Sequence, residues 1–302
     1  MSSEGLVPMS ESLGTLRDVS RFPVKSMQGE RLDVMELTPS GFLGDRAYAL
    51  IDAESGKVLS GKTPGLGSRL LSCRASFVTP PVLGGEMPAV RITLPDDTVV
   101  SSEDAGAATA LSRFLGIAVR LERSAPEDFT IDYNDPDLEE LNPAKHRDTV
   151  IEIRLGAAYF AQAGRDSPLP VGSFLDLFPV SVISTSSLNR LGDLSPESRW
   201  DPRRFRMNLV VDTSTPGFVE NDWVGAVVQF GDAARIAVQL PDPRCVMTTL
   251  AQGDLPSDRS ILRSLVRHNR LDVGGGLLPC VGVYAVVATP GTVRRGDPVT
   301  LA

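Results

Sequence analysis

The chain ends on "GVYAVVATPGTVRRGDPVTL", Gly282 to Leu301. Val283, Tyr284, Val286 and Val287 are residue types that favour a pleated, half-buried strand. Pro290-Gly291 reads as a turn between two strands, and Gly296-Asp297 as a second. The segment therefore predicts strands joined by tight turns, and it reads as the closing edge of a barrel. Working back from it, the same signature recurs in "RAYALIDA" (Arg46 to Ala53), "AVRITLP" (Ala89 to Pro95), "NLVVD" (Asn208 to Asp212), "AVVQFGD" (Ala226 to Asp232) and "RIAVQLP" (Arg235 to Pro241). Helical spacing is confined to three places. Glu103 to Gly116 aligns Ala107, Leu111 and Leu115 and ends on glycine. Ser184 to Asp193 opens on capping residues. Asp258 to Asn269 aligns Ile261, Leu262, Leu265 and Val266. The expected class is mainly β, an α+β chain built on a β-barrel with peripheral helices.

The 302 residues allow one large domain or two medium ones, and the 42% hydrophobic and 23% charged content is ordinary for a globular protein. A net charge of -8 argues against a non-specific nucleic-acid binder, which needs a basic footprint. "MSSEGLVPMSESLG" lacks the basic and apolar regions of a signal peptide, and no apolar run is long enough to span a bilayer. Three cysteines, Cys73, Cys245 and Cys280, suit a reducing compartment and are too few for a four-cysteine iron–sulfur site. The expectation is a cytoplasmic protein with no nucleic-acid or membrane partner. Pro126 to Arg147 is acidic and weakly periodic, and reads as a connection between two halves.

Cys73 and Cys280 flank apolar strands and read as core. Cys245 sits instead in "LPDPRCVMTTL" (Leu240 to Leu250), among prolines, an aspartate, Arg244 and the hydroxyls of Thr248 and Thr249. A cysteine beside an arginine is either a small buried residue or a thiol biased towards thiolate, the form that binds soft metals. The only histidines, His146 and His268, are remote in sequence from it and from any cysteine pair. Basic residues gather at three other points: Lys25 with Ser26 in "FPVKSMQGE", Arg46 in "GFLGDRAYALID", and Arg199, Arg203, Arg204 and Arg206 in "RWDPRRFRMNLVV". Each is either an ordinary charged surface or part of a pocket for one anionic ligand, since guanidinium groups grip phosphate bidentately. No Walker-type loop is present, and "LDVGGGLLP" (Leu271 to Pro279) lacks that pattern.

Four segments in order resemble the MOSC family, named for the C-terminal domain of molybdenum cofactor sulfurases, together with its associated N-terminal β-barrel domain. They are "RFPVKSMQG", read as an opening strand and lysine-serine motif; "GFLGDRAYALID"; "SFLDLFPVSVISTSSLNRL" with "RRFRMNLVVD"; and "PRCVMTT" with the closing strands. The resemblance spans nearly the whole chain and is nearest to the amidoxime-reducing branch. It implies an N-terminal domain over 1–125, the acidic connection over 126–147 and a MOSC domain over 148–302. It implies a molybdenum–molybdopterin cofactor with Cys245 as metal ligand and catalytic centre. Lys25, Ser26, Arg46, Ser184, Arg206 and Asn208 would hold the pterin or its phosphate, with Arg244, Thr248 and Thr249 beside the metal. It implies a reductase of N-hydroxylated or N-oxygenated small molecules. Because the chain ends at the barrel, electrons would come from a separate ferredoxin, flavoprotein or cytochrome. Two departures stand out: Met27 where relatives often have cysteine, and Lys62 where they usually have arginine. The superfamily's association with sulfur transfer keeps open a cofactor-binding or persulfide-carrier role for Cys245, and the departure at Met27 keeps open a metal-free enzyme with a repurposed pocket.

Overall fold

The valine-rich end of the chain forms the longest strand of a closed ring, seen in a computed structural model that describes residues 11–126, 129–135, 149–162, 164–274 and 276–302. We number the ring strands β1 (Ser12–Arg21), β2 (Val180–Ser184), β3 (Leu209–Asp212), β4 (Val227–Phe230), β5 (Ala234–Pro243), β6 (Leu277–Thr289) and β7 (Pro298–Leu301). Their order is β2-β3-β1-β7-β4-β5-β6, and β6 pairs back onto β2. Seven is odd, so a closed ring cannot alternate throughout. The parallel pair falls between β2 and β3, and the other pairs are antiparallel. Closure leaves no unpaired edge to solvent.

Alternation along the strands sorts the apolar residues into an inner and an outer set. Val182, Leu209, Val211, Val228, Ile236 and Val283 pack in the barrel core. Ile183, Val210 and Val281 point outward, under α2 (Thr185–Leu194) and α3 (Ser260–His268). Val281 and Val283 would share a face on a regular strand. They do not, because Gly282 takes φ 77° and one extra residue is inserted opposite Pro241–Pro243, a glycine bulge. A second core surrounds α1 (Ala107–Leu115), joining Val24, Met27, Leu50, Ile92 and Leu111. These three helices occur where the spacing predicts them, and two short helices that it does not predict, Gly67–Ser72 and Ala157–Gln162, are present as well. Gly116 ends α1 in the left-handed conformation, and the Ser184 hydroxyl accepts from the Ser187 amide to cap α2.

Two expectations need adjustment. The opening strand lies earlier than "RFPVKSMQG": β1 ends at Arg21, and Phe22 to Gly29 is a loop. The reason is local, since Pro23 has no amide to donate and Ser26 sits at φ 61°. The acidic stretch also contains a strand, Thr130–Asp135, antiparallel to Thr149–Arg154, with Phe129 and Ile131 packed on Phe174 and Leu155. The rest of it, with His146, lies outside the described residues. Among the described residues no helix is long and apolar enough to cross a membrane.

Candidate functional site

Non-glycine residues rarely hold positive φ, and four do so among the described residues: Ser26 (61°), Arg46 (48°), Asp97 (65°) and Arg206 (56°). Three of the four are residues the sequence singles out. Each left-handed residue is retained against a cost of about 1–2 kcal/mol, and such strain concentrates at functional sites. The Arg46 and Arg206 backbones come from opposite parts of the chain. Their guanidinium carbons each lie 4.4 Å from the centre of the Phe22 ring. Arg46 pairs with Asp45 and donates to the Arg206 carbonyl at 3.1 Å. Arg206 donates to the Met27 carbonyl. Burial, and then the neighbouring Arg46 charge, pull its pKa down to about 9.

These two arginines line a cavity of about 360 Å³ with Lys62, Arg204, Arg244, Thr248 and Cys245. Five basic side chains face two carboxylates there, Asp176 and Asp242, in a protein of net charge -8. A smaller recess shares Arg46, Asp176 and Arg206 with it and adds Lys25, Ser26 and Asn208. Lys25 is buried and donates to the Phe174 carbonyl at 2.7 Å and to Asp176. Burial lowers its pKa, with Asp176 opposing. Lys62 meets the other oxygen of Asp176 at 3.0 Å. Burial alone would raise Asp176, but the two lysines outweigh it and hold the carboxyl below its ordinary range. The Ser26 hydroxyl accepts from the Gly61 amide at 2.8 Å. Asn208 clips β1, β2 and the Arg46 loop together: it accepts from the Ser181 amide and hydroxyl and donates to Asp45 at 2.9 Å and to the Ser20 carbonyl at 3.3 Å.

Cys245 is partly exposed and precedes a 3₁₀ turn, Val246–Thr249. The Thr248 hydroxyl returns to the Cys245 carbonyl at 3.0 Å, and Thr249 to Val246 at 2.7 Å. Arg204 is fully buried and donates to the carbonyls of Thr248, Leu250 and Pro256, which fastens this turn to the arginine segment. Arg244 spends its donors on Asp242 at 2.7 Å, the Val281 carbonyl at 2.9 Å and the Phe205 carbonyl at 3.2 Å. The other two cysteines are buried, and burial pushes their thiols up to about 12.

The structure thus brings Cys245, Arg46, Arg206, Arg244 and Thr248 to one cavity, with Lys25, Ser26 and Asn208 in its recess. Thr249 is buried beside the turn and does not line the cavity. Ser184 sits elsewhere: its hydroxyl donates to the buried Glu220, which also accepts from Ser187 and the Gly282 amide. The arginine cluster splits, because Arg199 and Arg203 face outward and pair with Asp201 and Asp254. His268 does not line the cavity. Asp176, Asp242 and Tyr284 belong to the cavity and escape the sequence reading. Asp176 and Asp242 lie inside the quoted segments, but their partners are set only by the fold.

Fold and site together define a class: a closed β-barrel carrying one partly exposed thiol on the wall of a cation-lined pocket. Within that class the chain belongs to the MOSC family, with the family's "MOSC domain" matched at residues 171–300 and the "MOSC N-terminal beta barrel domain" at residues 13–112. It is similar to mitochondrial amidoxime-reducing component 1 of Homo sapiens, 23% identical over 96% of this chain and 84% of the relative. The Mus musculus protein of the same name is 25% identical over 96% of this chain and 83% of the relative. Among solved structures, the YuaD protein from Bacillus subtilis aligns over 97% of this chain and 94% of its own, with 12% identity and a TM-score of 0.40.

Proposed function

We propose that this protein binds a molybdenum–pterin cofactor through Cys245 and reduces N-oxygenated small molecules. The observation that carries the reading is the placement of Cys245, the one partly exposed cysteine, on the wall of a cavity with five basic side chains. The donor set fits such a cofactor. No group of three or more His, Cys, Asp or Glu side chains that could hold a metal ion occurs among the described residues. A metal here would have to arrive with ligands of its own, as it does on a pterin dithiolene, and take one soft thiolate from the protein. The excess of cations suits the phosphate of the same molecule. The similarity to proteins named for amidoxime reduction supports the same substrate class.

In this reading the cofactor supplies the two-electron redox chemistry. The chain supplies everything around it. Arg46 and Arg206, stacked on Phe22, present fixed guanidinium edges to the anionic end. Lys25 and Lys62 add charge there, with Ser26 and Asn208 holding the loops in register. Arg204 and Thr248 fix the Cys245 turn, so the thiol is presented at one orientation. The electrons come from a separate small redox protein of the ferredoxin, flavoprotein or cytochrome type. Protein from a host that makes the cofactor, supplied with a reduced viologen dye, is expected to convert benzamidoxime to benzamidine. Cys245→Ala should lose this activity and keep its thermal unfolding midpoint. Full activity in Cys245→Ala would refute the reading. A persulfide on wild-type Cys245 in protein without molybdenum would point to sulfur carriage instead.

A further inference from the structure

Asp242 is a cavity residue that the reading above leaves without a task. It ends β5 two residues before Arg244, and only 1% of it is exposed. Its Oδ2 meets Arg244 at 2.7 Å, while Oδ1 is buried and accepts no hydrogen bond of ordinary geometry, the Tyr284 hydroxyl being the donor that approaches the carboxyl. A buried carboxylate oxygen without a well-aligned donor is costly as an anion and far less so as a neutral acid. Arg244 offers limited compensation, because its guanidinium is shared with two carbonyls and the Met207 sulfur. The groups around Asp242 are Arg244 on its own segment, Tyr284 and Cys280 on β6, and Lys62 and Arg46 from across the cavity. Tyr284 is itself raised well above the ordinary phenol range by burial and then by the Asp242 charge, so it stays a neutral O–H.

We propose that Asp242 is the proton source of this active site, held neutral by its setting and passing its proton from Oδ1, by way of the Tyr284 hydroxyl on the cavity wall, to the oxygen that leaves the substrate. The inference rests on the reading of the pocket as a reductase of N-oxygenated compounds. The balance is simple. Cleaving the N–O bond of R–NH–OH consumes two electrons and two protons and gives R–NH₂ and water. The electrons come from the one-electron donor protein by way of the bound cofactor. One proton passes to the departing oxygen from the Tyr284 hydroxyl, which takes the Asp242 carboxyl proton in the same step. The second, and the one that restores Asp242, come from solvent at the open mouth of the cavity. Burial raises the Asp242 pKa to about 7, with Arg244 opposing, which poises the acid near working pH.

The test has two independent arms. The first uses wild-type protein without cofactor, carrying 13C-labelled aspartate, and follows its carboxyl bands by infrared spectroscopy against pH. One protonated carboxyl is expected to persist to near-neutral pH and to be missing from Asp242→Asn. A spectrum without such a band, or one that keeps it in Asp242→Asn, overturns the proposal. The second arm uses cofactor-loaded protein. Asp242→Asn keeps an acceptor towards Arg244, so it is expected to match wild type in molybdenum content and unfolding midpoint. Its turnover of an N-hydroxy substrate should fall by about 10²–10⁴-fold, and the loss of rate above neutral pH should disappear. Unchanged turnover, or loss of molybdenum from the variant, overturns the assignment. Absence of molybdenum from the wild type would fail the cofactor reading instead, while the infrared arm still decides the protonation of Asp242.

Discussion

Arg206 combines two properties that a surface arginine lacks. Its backbone is left-handed and its guanidinium is buried against Arg46 and Phe22. The two properties separate in a pair of variants. Arg206→Ala and Arg206→Gly remove the same guanidinium, but only glycine adopts φ 56° without strain. The glycine variant is therefore expected to be the more stable of the two by about 1 kcal/mol in urea unfolding, and both should lose affinity for the cofactor. An alanine variant at least as stable as the glycine one would contradict the strain argument. At this scale much of the site was legible in the sequence. A lone cysteine in a polar turn and arginines beside strands in an acidic chain are visible by type. Asp176 was not, because its role exists only where Lys25 and Lys62 approach from 151 and 114 residues away. Ser184 was visible by type and placed by the fold at a helix cap.

The barrel elements show the same division. β3, β4 and β6 announce themselves through valine, with leucine, phenylalanine and tyrosine beside it, and α3 through its apolar spacing. β1, "SLGTLRDVSR", does not, since its buried positions include Asp18 and Arg21 beside Leu16 and Val19. Those charges are satisfied by pairing, Arg21 with Glu30 at 2.6 Å, which no local pattern reveals. The bulge at Gly282 is a tightly constrained point of β6. A Cβ there would lie 2.0 Å from the Met207 methyl and 2.7 Å from the Val182 carbonyl, on a backbone at φ 77°. Met207 can move, but the Val182 carbonyl belongs to β2 and cannot. Gly282→Ala is expected to cost about 3 kcal/mol, from overpacking of about 1–3 kcal/mol plus left-handed strain of about 1–2 kcal/mol. Thermal denaturation measures it, and a loss below about 1 kcal/mol would contradict the bulge geometry.

At the scale of the whole molecule, β1 and the last strands of the chain are one structure. β1 lies between β3 and β7, so the ring closes only when residues 12–21 join residues 180–301. The same proximity puts the loop after β1, with Lys25 and Ser26, against the recess beside Arg206 and Asn208. A fragment spanning residues 171–302 would leave Leu209, Val211 and Val299 at open edges. It is expected to lack a cooperative unfolding transition, and a monomeric fragment that melts cooperatively would contradict this account of closure. The central claim, that this closure builds a molybdenum–pterin pocket around Cys245, is tested most directly by metal and pterin content. Wild type and Cys245→Ala, purified side by side from a host that makes the cofactor, are to be assayed by elemental and organic mass spectrometry. The account predicts near-stoichiometric molybdenum in the wild type and its loss from Cys245→Ala. Folded wild-type protein without molybdenum, or equal molybdenum in both, would contradict it.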